Sequence, residues 1–273
     1  MINSDIISIF QYSFIQRAFI AGIFIALICS ILGLFLVLKK LSLIGDGLSH
    51  VSFGAVALGL FFGLLPIYTA IPIVLVASLI ILWLINKTKI YGDAAIGVVS
   101  SIGLASGIIL ASVSNGFNID LLGYLFGNIL AISAGEMYFS IGLSFLVLII
   151  VFLFYHDLFS VSFNEEHAKV TGINVKMINS ILFMLTALTV VLSIRVVGIM
   201  LISSFIILPP LIALQFAKGF KPALIISAVV SFFSVTIGIL MSFILNIPTG
   251  ATIVIVNFIF LIVALISKKL FFK

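Results

Sequence analysis

From Ala18 to Leu38 the chain runs without one charged side chain, then stops at Lys39-Lys40. A helix needs about 20 apolar residues to cross the hydrocarbon core of a bilayer, and this run, read as 14–38, supplies them. The pattern repeats at about 50–65, 67–85, 93–113, 135–156, 177–194, 196–216, 222–245 and 250–267. Over the 273 residues, 64% are hydrophobic and 8% charged, against about 45–50% and about 25% in a soluble domain. So few charges cannot cover a water-soluble surface, which excludes a cytosolic globular enzyme. Disorder is excluded as well, because it requires low hydrophobicity and high charge. The runs do not alternate apolar and polar residues as the strands of a membrane barrel do. A helix satisfies its own backbone in lipid. The expectation is an all-α polytopic membrane protein, one transmembrane domain over residues 1–273, with nine spans, or eight if the short second run does not cross fully.

The intervals between the runs carry their own readings. Residues 1–13 read as a short interfacial segment. The stretch 41–50 reads as broken by its glycines. Leu121 to Ile132 is too short to cross and reads as a re-entrant or interfacial helix. Residues 157–176 are the one extended polar segment, with a short helix inside it. No cleavable signal is expected, since the first dozen residues lack a basic region and the first apolar run is too long. Pro209-Pro210 should bend the run around it by removing backbone donors. Cys29, the single cysteine, reads as a small core residue.

Charge sets the orientation. Of 13 Lys and Arg residues, 11 fall at 39–40, 87–89, 157–176, 218–221 and the C-terminus. The opposite loops hold only Arg195, and the N-terminal segment adds Arg17. By the positive-inside rule this places the N-terminus outside and the C-terminus in the cytoplasm. The net charge of +5 is thereby a topological signal, with no nucleic acid implied.

Between Leu41 and Asn86 the only acidic or basic side chains are Asp46 and His50. Four residues apart, they share one helix face with Cβ atoms about 5–6 Å apart. An ionisable residue within a membrane is costly and marks a functional position. Carboxylate plus imidazole is a ligand pair for a divalent transition metal. Two ligands are too few for a tight site, but a two-fold dimer with this face on its axis would supply two Asp and two His. The competing reading makes Asp46 an N-cap for a helix starting near Leu48, with His50 a polar neighbour. Small residues at Gly54, Ala55, Ala57, Gly59, Gly97, Ser100, Ser101, Gly103 and Gly107 read as helix-packing positions. Glu165, Glu166 and His167 are consecutive and cannot share a helix face, so they read as a solvated surface of the kind a partner docks on. Arg195 reads as an interfacial side chain or as a cation-repelling gate. There is no phosphate-binding loop, no His-Glu-x-x-His pair and no nucleophile elbow, so an enzyme has little to stand on.

These residues, taken in order, resemble a known family. Leu43-Ile-Gly-Asp-Gly-Leu-Ser-His50 with Gly54 and Ala57-Leu-Gly59 resembles the signature of the manganese/zinc/iron (ABC-3) permeases of bacterial ABC importers. Gly92-Asp-Ala-Ala-Ile-Gly97, Asp120-Leu-Leu-Gly-Tyr-Leu-Phe-Gly-Asn128, Asn164-Glu-Glu-His-Ala-Lys-Val-Thr-Gly172 and Val196-Val-Gly-Ile-Met-Leu-Ile-Ser203 continue the likeness over nearly the whole chain. The resemblance implies a permease of the type II importer fold in the bacterial plasma membrane, working as a homodimer. It implies two separate ATPase subunits that carry ATP on the cytoplasmic face, and an extracellular metal-binding protein that delivers the ion. Asp46 and His50 become ligands of the transported metal. The segment 157–176, with Asn164, Glu165, Glu166, His167, Lys169 and Gly172, becomes the coupling segment toward the ATPase. Asn118-Ile-Asp-Leu-Leu and Ile194-Arg-Val-Val-Gly198 resemble zinc members more closely, so zinc is the expected substrate. Manganese or iron import by the same architecture, an ATPase-independent secondary transporter and a membrane enzyme are the alternatives. Leu208-Pro-Pro210 departs from the single Pro of many relatives. No covalently bound cofactor is implied.

Overall fold

The computed structural model describes residues 12–88, 90–113, 121–127, 132–194 and 196–271. The expected interfacial segment therefore falls, but for its last two residues, outside the described residues, and Arg195 does so entirely. In chain order the helices are α1 (Ser13–Leu38), α2 (Ile44–Phe61), α3 (Pro66–Thr88), α4 (Gly92–Val113), α5 (Leu121–Phe126), α6 (Ala134–Leu153), α7 (Tyr155–Phe163), α8 (Glu165–Val170), α9 (Val175–Ser193), α10 (Ile202–Phe216), α11 (Phe220–Leu245) and α12 (Thr249–Phe271). A 3₁₀ turn at Ile199–Leu201 leads into α10. Among the described residues nine helices are long and apolar enough to cross a membrane, the turn and α10 counting as one. The chain is a multi-pass helical membrane protein.

α1, α2 and α9 are the most enclosed helices, whereas α4 and α6 turn most of their surface outward. α1 lies against α6, α10 and α11, and α2 lies between α3 and α4. α9 closes the middle by packing on α3. In lipid no hydrophobic force distinguishes helix from solvent, so close backbone approach has to hold the bundle. Its glycines and serines provide that approach. A Cβ on Gly54 would collide with the Gly103 carbonyl, and one on Gly103 would collide with the Val51 backbone, which locks α2 onto α4. The packing reading of those small residues therefore holds at Gly54, Gly59, Gly103 and Gly107, while Gly97 faces open space. Buried Ser231 and Ser227 of α11 donate to the carbonyls of Ala26 and Ser30 on α1, at 2.9 and 3.3 Å. Cys29 is fully buried, 3.2 Å from the Ser193 hydroxyl.

Several helix bounds differ from the sequence expectations. The stretch 41–50 is broken only as far as Leu43, and its glycines lie inside α2, which starts at Ile44. Gly45 and Gly47 serve as contact points there: a Cβ on either would meet the side chain of Ile206 or Ile96. The run 135–156 is two helices meeting at Phe154, whose φ of −100° and ψ of 19° end α6 and start α7. The polar segment holds α7 and α8, joined by the extended Asn164. The short helix at 121 spans only Leu121–Phe126, and residues 128–131 lie outside the described residues. Pro209 and Pro210 both sit inside α10. Pro210 has no N–H to offer the Ile206 carbonyl one turn back, and that oxygen instead faces Gly33, where a Cβ would collide with it.

Candidate metal site

The end of α1 determines where Asp46 and His50 lie. Lys40 takes a left-handed conformation, φ 59°, and the Leu41 N–H donates to the Leu36 carbonyl at 2.9 Å while Lys40 N–H donates to Val37 at 3.1 Å. This is a Schellman turn made without glycine. The Ile44 N–H then bonds the Leu41 carbonyl at 3.1 Å, and α2 begins within one turn.

Asp46 lies in the first turn of α2, where the positive end of the helix dipole favours a carboxylate. It is not the N-cap; Leu43 holds that position, without a side-chain cap. His50 follows one turn later on the same face, as the spacing predicts. Its Nε2 is 3.7 Å from Asp46 Oδ2, too long for a hydrogen bond. The Nδ1 atom of His50 is buried and has no hydrogen-bond partner. Neither side chain is thus consumed by the other. Two ligands on one tetrahedral ion, with bonds of about 2.0–2.1 Å, sit roughly 3.4 Å apart. The observed separation is close to that, so a small side-chain rotation lets both reach one ion. Among the described residues no group of three or more His, Cys, Asp and Glu is placed to hold a metal ion, so these residues offer this pair and no larger cluster.

The residues of the polar segment divide into two sets. Asn164 caps α8, its side-chain oxygen accepting from the N–H groups of Glu166 and His167 at 3.1 and 3.0 Å. Glu166, His167 and Lys169 are exposed, in keeping with a solvated face. Gly172 closes the segment with φ +85° in open space. Glu165 differs. It turns inward, forms an ion pair with Lys39 at the end of α1, and accepts from Asn179 Nδ2 of α9 at 3.1 Å. Half-burial alone would raise its carboxyl pKa. The hydrogen bond and charge of Lys39, with Asn179 and the charge of Lys169, outweigh that and hold it below the ordinary glutamate range. Sequence reasoning missed Lys39 and Asn179. Lys39 reads as a residue that merely ends a span, and its partner lies 126 positions away. Asn179 did carry a signal, as a polar amide near the start of an apolar run.

Nine candidate spanning helices with an acid–imidazole pair on an enclosed helix define a polytopic helical membrane protein. The model of the ABC 3 transport family matches residues 11–268, and the chain belongs to that family. Relatives of comparable length agree. The manganese import system permease protein ScaB of Streptococcus gordonii is 34% identical over 98% of this chain and 97% of its own. The high-affinity zinc uptake system membrane protein ZnuB of Haemophilus influenzae is 31% identical over 95% and 99%. Among solved structures, PsaBC from Streptococcus pneumoniae in complex with Fab superposes with a TM-score of 0.86 at 31% identity, covering 97% of this chain and 95% of that one. An inward-facing structure of a metal-chelate type ABC transporter gives 0.70 at 16% identity, over 93% and 85%, a likeness of fold alone.

Proposed function

We propose that this chain is the permease subunit of an ABC importer that moves a divalent transition metal, with Asp46 and His50 as transient ligands. The observation that carries the reading is the pair itself: two ligand-type side chains on one face of an enclosed helix, near ligand spacing and not bonded to each other. The family match and the likeness to ScaB and ZnuB, a manganese and a zinc permease protein, support a metal as the substrate. Two copies related by a two-fold axis bring two Asp and two His together, a set suited to zinc. Zinc is the substrate favoured by the sequence around Asn118-Ile-Asp120 and Ile194–Gly198. Manganese is the second reading, favoured by relatives named as manganese permeases at 32–34% identity; it takes more oxygen ligands, which water can complete.

In this reading the whole chain is one transmembrane domain with the N-terminus outside and the C-terminus in the bacterial cytoplasm. Residues 157–176 dock two ATPase subunits through the exposed Glu166, His167 and Lys169, and Arg195, outside the described residues, is read from the sequence as a gate. An extracellular metal-binding protein delivers the ion. The ion rests on the pair, and closure driven by ATP on the partner subunits opens the site inward.

The test is uptake of radiolabelled zinc and manganese by cells lacking this chain, with and without a plasmid copy, each ion competing against the other. Zinc-specific rescue supports the first reading and manganese-specific rescue the second. Rescue of neither, with the protein present in the membrane, overturns the assignment. Asp46→Ala should reduce uptake to the level of cells without the chain.

A further inference from the structure

The Lys39 side chain is 9% exposed and that of Glu165 42%. An ammonium buried to that degree is costly unless paired, so the contact between α1 and α8 is fixed by charge. Asn179 joins α9 to the same carboxylate, and its own Oδ1 is buried without a partner. A cavity of about 200 Å³, lined among others by Lys39, Asn86, Glu165 and Asn179, lies beside the cluster. Lys39 is the capping residue of α1, and the chain from it to Asp46 has little slack. The bonds Leu41 N–H to Leu36, Ile44 N–H to Leu41 and Gly47 N–H to Leu43, all 2.9–3.1 Å, run continuously from α1 into the first turn of α2. A displacement of α8 therefore reaches Lys39 through one ion pair, and reaches Asp46 through one hydrogen-bonded turn. Glu165 leads α8, while the neighbouring Glu166 and His167 face outward.

We infer that Lys39 and Glu165, steadied by Asn179, are positioning residues that transmit movement of α8 to the helix carrying Asp46 and His50. This rests on the function proposed above. Glu165 then serves the transport cycle from inside the protein, and the ATPase-facing surface of α8 is left to Glu166, His167 and Lys169. A transmission element changes how fast the site turns over and leaves its ligands intact. The maximal rate should fall, and the metal concentration giving half that rate should not move.

The experiment is initial-rate uptake of radiolabelled zinc and manganese in cells lacking the chain and carrying tagged variants, with membrane protein levels measured. Lys39→Met and Glu165→Gln should each lower the maximal rate at least about tenfold per molecule, with half-saturation unchanged within about twofold. Lys39→Arg keeps the charge, has the adjoining cavity to expand into, and should retain at least a third of the rate. The double variant Lys39→Met, Glu165→Gln should be no worse than either single one. Asn179→Ala, which leaves the ion pair in place, should give an intermediate rate and serves if a charge variant fails to reach the membrane. The inference is overturned if Lys39→Met keeps the wild-type rate, if Lys39→Arg is as impaired as Lys39→Met, or if half-saturation rises in step with the loss of rate. No uptake of either metal with the unaltered chain is a different failure, that of the proposed function.

Discussion

Two acid–base pairs each have a member between Lys39 and His50, and they are built oppositely. Lys39 and Glu165 come from elements 126 positions apart, meet in a contact, and bring in Asn179. Asp46 and His50 come from one turn of one helix, stand 3.7 Å apart, and leave a buried ring nitrogen without a partner. A satisfied pair resists separation and holds elements together. A pair too far apart to bond to itself leaves lone pairs on Asp46 Oδ2 and His50 Nε2 free for an ion placed between them. The first pair is therefore read as structure and transmission, the second as a place where an ion rests.

That contrast breaks most visibly at Asp46. Asp46→Asn keeps the shape and removes the charge, and it should abolish metal uptake while leaving the unfolding temperature of the purified protein within a few degrees of the parent. Loss of both uptake and stability would show that Asp46 holds the fold, and the distinction between the pairs would collapse.

Lys39→Met should do the reverse in a stability measurement. Breaking a fully buried pair costs about 3–5 kcal/mol. Glu165 remains partly in water and keeps Asn179, so about 1–2 kcal/mol is expected after allowing for solvent screening. Thermal unfolding in detergent, followed by the fluorescence of Trp83, reads it. An unchanged transition would mean that the pair contributes nothing net. Asn179→Ala should cost less, about 0.5–1.5 kcal/mol for one hydrogen bond, because it also removes the unpartnered Oδ1.

How much of this was legible in the sequence follows from the range of the interactions. Nine spans follow from apolar runs bounded by lysines, because length against bilayer thickness is a local test. Asp46 and His50 stand out because no other acid or base interrupts residues 41–86. The start of α2 was misplaced because Gly45 and Gly47 look like helix breakers. Their use, letting Ile206 and Ile96 come close, depends on helices far along the chain. The split of the fifth span at Phe154 has no glycine or proline to announce it. The inward turn of Glu165 was invisible for a similar reason. Glu165 and Glu166 are chemically equivalent in the sequence, and only the position of Lys39 across the fold separates them.

The smallest effect concerns pH and tests the satisfied pair alone. The carboxyl of Glu165 is lowered in the folded protein, since Lys39, Asn179 and Lys169 outweigh the opposing effect of burial. A depressed folded-state value means that the unfolded chain takes up the proton first as pH falls. The stabilisation is thus fully present above the ordinary glutamate value of about 4.5, and is lost as pH drops through the lowered folded value. At neutral pH the parent should unfold above Lys39→Met, and below about pH 4.5 the gap should narrow steadily. The comparison of parent and variant cancels contributions common to both. A gap that stays constant into acid would locate the effect of Lys39→Met in lost packing of the lysine stem, with no part for its charge on Glu165, and the contrast between the two pairs would then rest on geometry alone.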